Sequence, residues 1–147
     1  MCAFLLIGEN MNKYMELAYK EALKCKKTDD VPVGAIIVEK DIIISKGHNT
    51  REKTKSIIGH AEINAVEKAC RKKNTWHLDD CVIYVTLEPC KMCLEVIRQA
   101  RIKKIYYAAS KIKNNNELKL KMIKLKEYNK TSELITEFFK NKRNIEH

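Results

Sequence analysis

Residues 81–93 read Cys81-Val82-Ile83-Tyr84-Val85-Thr86-Leu87-Glu88-Pro89-Cys90-Lys91-Met92-Cys93. The first seven are almost continuously apolar and rich in β-branched and aromatic side chains, which predicts a strand buried on both faces. A proline in the first turn of a helix sacrifices no hydrogen bond, so a helix is predicted to start at Pro89. A buried strand running into a helix is half of a crossover unit, and Ile105-Tyr106-Tyr107-Ala108-Ala109 supplies the second strand. Such a connection makes the two strands parallel.

Toward the N-terminus, a helix is predicted to begin near His60, with Ala61, Ile63, Ala65, Val66 and Ala69 as its apolar positions, and to end around Lys73-Asn74. Residues 46–59 read as a polar connection. Before it, Val33–Val38 and Ile42–Ser45 are short β-branched runs flanking Glu39-Lys40-Asp41, the pattern of a hairpin. Met11, Met15, Ala18, Ala22 and Cys25 recur at three- and four-residue spacing, giving an amphipathic helix with Asn10 as its predicted N-cap and Asp29-Asp30-Val31-Pro32 beyond its end. Toward the C-terminus, Asn114-Asn115-Asn116 reads as a loop. Leu118–Tyr128 alternates apolar residues with Lys and slips phase at Met122-Ile123, which fits a bulged strand or a helical turn. Leu134, Ile135, Phe138 and Phe139 mark one side of a helix over about residues 132–143. This order of elements predicts an α/β fold, a sheet with helices on its faces, and one domain over residues 1–147.

Composition narrows the function classes. The chain has 147 residues, 45% of them hydrophobic, yet no apolar run approaches the roughly 18 residues of a membrane span. Met1–Ile7 is apolar but lacks a basic region and a small-residue cleavage site, so a cytoplasmic protein is expected rather than a secreted one. In a reducing compartment the six cysteines point to metal binding or catalysis rather than disulfides. Cys2, Cys25, Cys70 and Cys81 sit singly and read as small buried hydrophobes, leaving Cys90 and Cys93 as the one tight pair. The net charge is +10, of which residues 101–147 carry +8, with 13 basic and 5 acidic side chains. A basic third attracts a polyanion, either nucleic acid or an anionic membrane surface. Against this, 24 of the 29 basic residues are Lys, alongside 17 Ile and 11 Asn, a bias that nucleotide composition alone produces.

His60-Ala61-Glu62 taken alone fits a helix cap or a surface imidazole. Cys90 and Cys93, three apart on a helix, place both sulfurs on one face near an N-terminus whose exposed N–H groups favour thiolates. By itself that pair fits a redox site, a structural zinc half-site or coincidence. Two helix starts at one edge of a sheet can bring one imidazole and two thiolates together as three zinc ligands. With no second C-x-x-C or H-x-x-x-H in the chain, a fourth position is left to water. Zinc lowers the pKa of such a water towards ~7, and Glu62, two residues after His60, is placed to carry its proton.

His60-Ala61-Glu62, followed after 26 residues by Pro89-Cys90-Lys91-Met92-Cys93, resembles the H-x-E…P-C-x-x-C signature of zinc nucleobase deaminases. VPVGAIIV from Val31, His48-Asn49, HAEINAV from His60, YVTLEPCKMC from Tyr84 and ELITEFFKNKR from Glu133 are similar to the bacterial-type tRNA-specific adenosine deaminases, over nearly the whole chain. The resemblance implies a three-layer α/β/α cytidine-deaminase-like fold with a mixed sheet of about five strands. It also implies one Zn2+ per subunit held by His60, Cys90 and Cys93, Glu62 as the proton shuttle, and Asn49 as a hydrogen-bonding partner of the target base. The implied reaction is hydrolysis of adenosine to inosine at the wobble position of a tRNA anticodon stem-loop, releasing ammonia, by a homodimer that involves no membrane. Asn49 suits a loop cap after Gly47 equally well. Lys140, Lys142 and Arg143 match a basic C-terminal end that the family uses near RNA, whereas Trp76 and His77 read as a packing residue and a surface imidazole.

The pattern departs after Tyr107. Where these relatives carry a Gly-Ala-Arg-Asp segment and a Gly-rich turn, this chain has Ala108-Ala109-Ser110-Lys111-Ile112-Lys113-Asn114. Tyr107-Ala108-Ala109, with Leu78-Asp79-Asp80-Cys81, also resembles guanine deaminases, so a free-purine deaminase is the second reading. A non-catalytic zinc or RNA-binding subunit is the third, and a proton shuttle at Glu62 would be of no use to it.

Overall fold

A computed structural model describes the backbone of residues 2–110, 121–125 and 129–145, and within these the side chains from residue 11 to residue 143. The strands are β1 (Gly34–Glu39), β2 (Ile42–His48), β3 (Cys81–Leu87), β4 (Lys104–Ala109) and β5 (Lys121–Lys124). The helices are α1 (Cys2–Leu23), α2 (Arg51–Thr54), α3 (Ala61–Lys73), α4 (Lys91–Gln99) and α5 (Lys130–Ile145), with a 3-10 turn over Lys24–Lys27. The strands form one mixed sheet in the order β2-β1-β3-β4-β5. β1 pairs antiparallel with β2 and β3, whereas β3–β4 and β4–β5 are parallel, as the crossover through α4 requires.

Strand alternation sorts the core into two layers. Ala35, Ile37, Ile83, Val85 and Ile105 point to the face covered by α3 and α4, together with Ala65, Val66, Leu94 and Ile97. Ile36, Val38, Tyr84 and Ala108 point to the opposite face, where Tyr14, Met15 and Ala18 of α1 pack on them. α5 lies beside α1: its Lys130 Nζ is 3.3 Å from a Glu16 carboxylate oxygen and stands over the Tyr19 ring. Helices therefore cover both faces, as the sequence predicts. No helix among the described residues is long and apolar enough to cross a membrane.

The hairpin closes through Lys40 and Asp41, both with positive φ, the backbone of a two-residue turn that matches strand twist. The Tyr14 hydroxyl donates to the Asp41 carbonyl at 2.9 Å and ties this turn to α1. Where β1 begins, α1 comes so close that a Cβ on Gly34 would stand 1.9 Å from the Ala18 carbonyl oxygen. The Gly34 N–H donates to Thr86 Oγ1 of β3 at 3.0 Å.

Several boundaries differ from the sequence reading. α1 starts at Cys2, not at an N-cap on Asn10, because Cys2–Glu9 holds no proline and its single Gly8 weakens a helix without ending it. The connection over residues 46–59 contains the end of β2 and the short α2, since Lys46, Gly47 and His48 pair through their backbone with Ile36, Ala35 and Gly34. α4 begins at Lys91 with Cys90 as N-cap, so Pro89 precedes the helix rather than opening it. α5 extends two residues beyond the predicted span at each end. Of the two fits offered for Leu118–Tyr128, the strand forms at Lys121–Lys124, while Asn114-Asn115-Asn116 lies outside the described residues. Cys25 and Cys81 are buried and Cys70 is half-buried, and none of the three forms a disulfide.

Candidate metal centre and cleft

His60 and Cys90 occupy the same structural position on successive crossovers. Each is the N-cap of its helix, in extended backbone, and neither side chain makes the usual cap hydrogen bond. The two side chains turn toward each other instead. Cys93, one turn into α4, adds a second sulfur on the same face. The His60 Nδ1 is 3.6 Å from the Cys90 Sγ and 3.3 Å from the Cys93 Sγ, and all three ligand atoms lie within 4.8 Å of one another.

These distances test the fit of a metal. Tetrahedral zinc with bonds of about 2.3 Å to sulfur and about 2.0 Å to nitrogen sets neighbouring ligand atoms roughly 3.5 Å apart. The observed nitrogen–sulfur separations bracket that value. The neighbouring Cys90 sulfur and burial push the Cys93 thiol far above its ordinary range, so the two sulfurs share this space as thiolates when a divalent cation compensates them. The donor set, one imidazole and two thiols, is that of zinc.

Glu62 is in the first turn of α3 and is 4% exposed. Burial raises its carboxyl above the usual carboxylate range, against the opposing hydrogen bond from Cys93. Glu62 lines a cleft of about 740 Å³ together with His60, Cys90, Asn49, Val31, Val33, Leu87 and Glu88. Cys93 is fully buried and outside this lining.

Asn49 follows β2 and does two things at once. Its Oδ1 accepts from the Ala61 N–H at 2.8 Å, giving α3 the cap bond that the His60 side chain does not make. Its Nδ2 donates to the Val31 carbonyl at 2.9 Å, and its backbone N–H donates to the Val33 carbonyl. The loop-cap reading is thus realised at the start of α3. Asn49 also lines the cleft, and an amide carries a second N–H and a second lone pair beyond these two bonds.

The rim holds residues that the sequence reading did not single out for this place. Asp30 is buried and accepts from the Thr28 hydroxyl and from the N–H groups of Glu52 and Lys53, fixing α2 so that Arg51 and Glu52 line the cleft. The only sequence signal was its place in the stretch that stops α1, and its partners on α2 lie 22 and 23 residues away. α5 brings Phe138, Phe139, Lys142 and Arg143 to the same opening, with Lys142 paired to Asp29. Lys140, on the same basic end, is exposed and not part of the lining. Trp76 stands elsewhere, stacked on His77 and under Arg101, and at 59% exposed it is a surface residue rather than the packing residue the sequence suggests.

Residues 8–109 match the protein family described as the cytidine and deoxycytidylate deaminase zinc-binding region. The chain is 39% identical over 146 residues to the tRNA-specific adenosine deaminase of Aquifex aeolicus (strain VF5), a match covering 89% of this chain and 95% of that protein. A structure from work on A-to-I editing by tRNA A34 deaminases at the wobble position superposes with a TM-score of 0.79 at 29% identity, covering 84% of this chain and 99% of the other. Guanine deaminase from Bacillus subtilis superposes with a TM-score of 0.65 at 28% identity, covering 90% of this chain and 93% of that one.

Proposed function

The chain belongs to the cytidine and deoxycytidylate deaminase family, and from that premise we propose that it is a zinc-dependent hydrolase converting adenosine to inosine at the wobble position of a tRNA anticodon, with release of ammonia. The observation that carries this reading is a His60–Cys90–Cys93 cluster beside the buried Glu62, set in a cleft whose rim bears Lys142 and Arg143.

His60, Cys90 and Cys93 would hold the zinc. Bound there, zinc supplies Lewis-acid activation of the hydrolytic water. Glu62 takes a proton from that water and delivers it to the ring nitrogen N1 of adenine. The water oxygen forms its bond to C6, and as the C6–N6 bond breaks Glu62 takes the remaining proton from the new C6 hydroxyl and passes it to the departing amine, which leaves the C6 carbonyl of inosine. A carboxyl whose pKa is raised by burial keeps a proton more readily than an ordinary carboxylate, which suits this traffic. The remaining Asn49 N–H orients the base. Val31, Val33 and Leu87 give the cleft apolar walls that keep bulk water from the reacting atoms.

The deciding assay is ammonia release by the zinc-loaded protein on an adenosine-wobble anticodon arm, in parallel with free guanine, adenine and cytosine. Activity on the arm alone is the expected result. Activity on free guanine alone would move the chain to the free-purine reading.

Removing the metal with a strong chelator is expected to abolish turnover and to lower the melting temperature by on the order of 10 °C. An ion bound at a hundred to a thousand times its Kd contributes about 3–4 kcal/mol to the folded state. Re-added zinc should restore both, as read by thermal denaturation and inosine formation. On the RNA side, alanine at both Lys142 and Arg143 is expected to weaken binding of the arm. It should also reduce the slope of log K against log salt by about 2, one for each lost phosphate contact. Lys140→Ala, outside the cleft, should leave that slope unchanged.

The protein is further read as a cytoplasmic homodimer whose single domain spans residues 1–147. An apolar groove of about 580 Å³ on α3 and α4, lined by Ile58, Ile63, Val66, Trp76, Met92 and Val96, supports self-association. Sedimentation equilibrium at micromolar protein checks it.

A further inference from the structure

Asn49 is the middle residue of a short strap, His48-Asn49-Thr50, that joins the end of β2 to the N-cap of α2. Two helices hold this strap. From α3, Asn64 uses both hydrogens of its side-chain nitrogen on it. Its Nδ2 donates to the His48 carbonyl at 2.8 Å and to the Thr50 hydroxyl oxygen at 2.9 Å, so the bonds fall on the residues immediately before and after Asn49. From the α1 side, the buried Glu21 carboxylate stands 3.2 Å from His48 Nδ1, and the Cys25 thiol donates to the Asn49 carbonyl at 3.5 Å. An N-cap threonine ordinarily accepts from the first turn of its own helix. The Thr50 side chain makes no such bond, and Asp30 accepts from the Glu52 and Lys53 N–H groups in its place. The Thr50 hydroxyl is thereby turned to α3.

The register of α3 gives this contact a bearing on the chemistry. The Asn64 N–H donates to the His60 carbonyl at 2.9 Å, and the Ala61 N–H donates to Asn49 Oδ1 at 2.8 Å, so His60, Glu62 and both attachments of the strap belong to the first turn of one helix. We propose that Asn64 is a positioning residue for the deamination: by bridging the two neighbours of Asn49 it fixes how the Asn49 amide faces the base relative to Glu62 and the metal ligands. This rests on the function proposed above, in which that amide orients the base. The bonds from Asn49 to the Ala61 N–H and the Val31 carbonyl hold the tip of its side chain, whereas Asn64 holds the chain on either side of it. A misplacement of about 1 Å costs on the order of 10²-fold in rate, and losing one anchor among several is expected to cost on the order of ten-fold. The buried Ser45 hydroxyl also ties β2 to α3, donating to the Ala65 carbonyl at 2.7 Å, but it does not bond the strap. It therefore separates attachment of the helix from positioning of Asn49.

The test compares the zinc-loaded parent with Asn64→Leu, which keeps volume without the amide, and Asn64→Asp, which keeps the shape but has no N–H to give. Single-turnover inosine formation on the adenosine arm is expected to fall on the order of ten-fold in both. Affinity for the arm should stay within about two-fold of the parent, because the phosphate contacts that dominate it are intact. Ser45→Ala should lower the melting temperature by about 2–4 °C, the shift for one lost hydrogen bond, and leave the single-turnover rate within about two-fold. Asn49→Asp keeps the oxygen that accepts from the Ala61 N–H and gives up the side-chain N–H groups. Added to it, Asn64→Leu should cost no more than about a further two-fold, since its effect runs through the amide already lost. In the absence of RNA, the Asn49 side-chain amide signals in 15N–1H spectra should move in Asn64→Leu and stay in place in Ser45→Ala. Parent-like rates in both Asn64 variants, an equal rate loss in Ser45→Ala, an undiminished effect on the Asn49→Asp background, or unmoved amide signals each overturn the proposal. If the parent forms no inosine from the arm, the proposed function fails instead, while the amide signals still decide whether Asn64 positions Asn49, so the two failures are distinct.

Discussion

Glu62→Gln is expected to retain its zinc and to lose turnover by on the order of 10²- to 10⁴-fold, the range that a positioned general acid–base contributes. Gln keeps the shape of the side chain and its place in the first turn of α3, but it neither takes a proton from water nor hands one to the amine. His60, Cys90 and Cys93 are untouched, so metal content measured by atomic emission should stay at one ion per chain. Glu62→Ala should lose at least as much, and the pair of variants separates charge from volume. Single-turnover inosine formation on the anticodon arm is the measurement, because it reports the chemical step and not product release. Turnover within ten-fold of the parent, at full zinc occupancy, would remove Glu62 from the mechanism.

The second large effect concerns the fold beneath the site. Gly34→Ala places a methyl group 1.9 Å from the Ala18 carbonyl oxygen and 2.6 Å from the Ala22 nitrogen, both backbone atoms of α1. Neither can swing aside as a side-chain tip could, so α1 must lift from the sheet. That movement separates Met15 and Ala18 from Ile36 and Tyr84 in a layer packed without slack. The expected cost is at the top of the range for overpacking, about 3 kcal/mol, and a fall in melting temperature on the order of 10 °C. Thermal and urea denaturation should agree on it. A variant as stable as the parent would mean that α1 sits farther from β1 than described.

Much of this architecture could be read before any coordinates. The unbroken apolar run Cys81–Leu87 carries its own evidence of double burial, and it forms a strand with those bounds. His60, Cys90 and Cys93, which the structure brings together, were legible only in combination, since neither the His-x-Glu nor the Pro-Cys-x-x-Cys says much alone. What escaped was set by backbone pairing or by contacts distant in sequence. Lys46, Gly47 and His48 look like a loop since their side chains are not apolar, yet a strand needs only N–H and C=O groups facing a partner. Asp30 reads as a helix stop, and nothing near it announces that it anchors α2. The basic end of α5 was visible as charge, but only the packing of α5 beside α1 decides that Lys142 and Arg143 reach the cleft and Lys140 does not.

The central position of β3 has a kinetic consequence. Both its edges are occupied, by β1 on one side and β4 on the other, and just past its end the Glu88 N–H donates to the Ala109 carbonyl at 2.8 Å. Its amide protons reach deuterium only when the sheet parts, so they belong to the slowest-exchanging set, tied to global opening rather than to local fluctuation. Pro89 and Cys90 follow that strand after the single residue Glu88. The end of the molecule that carries Cys90 is therefore attached to the last element to open, and excursions of the cleft rim leave the spacing of the two sulfurs undisturbed.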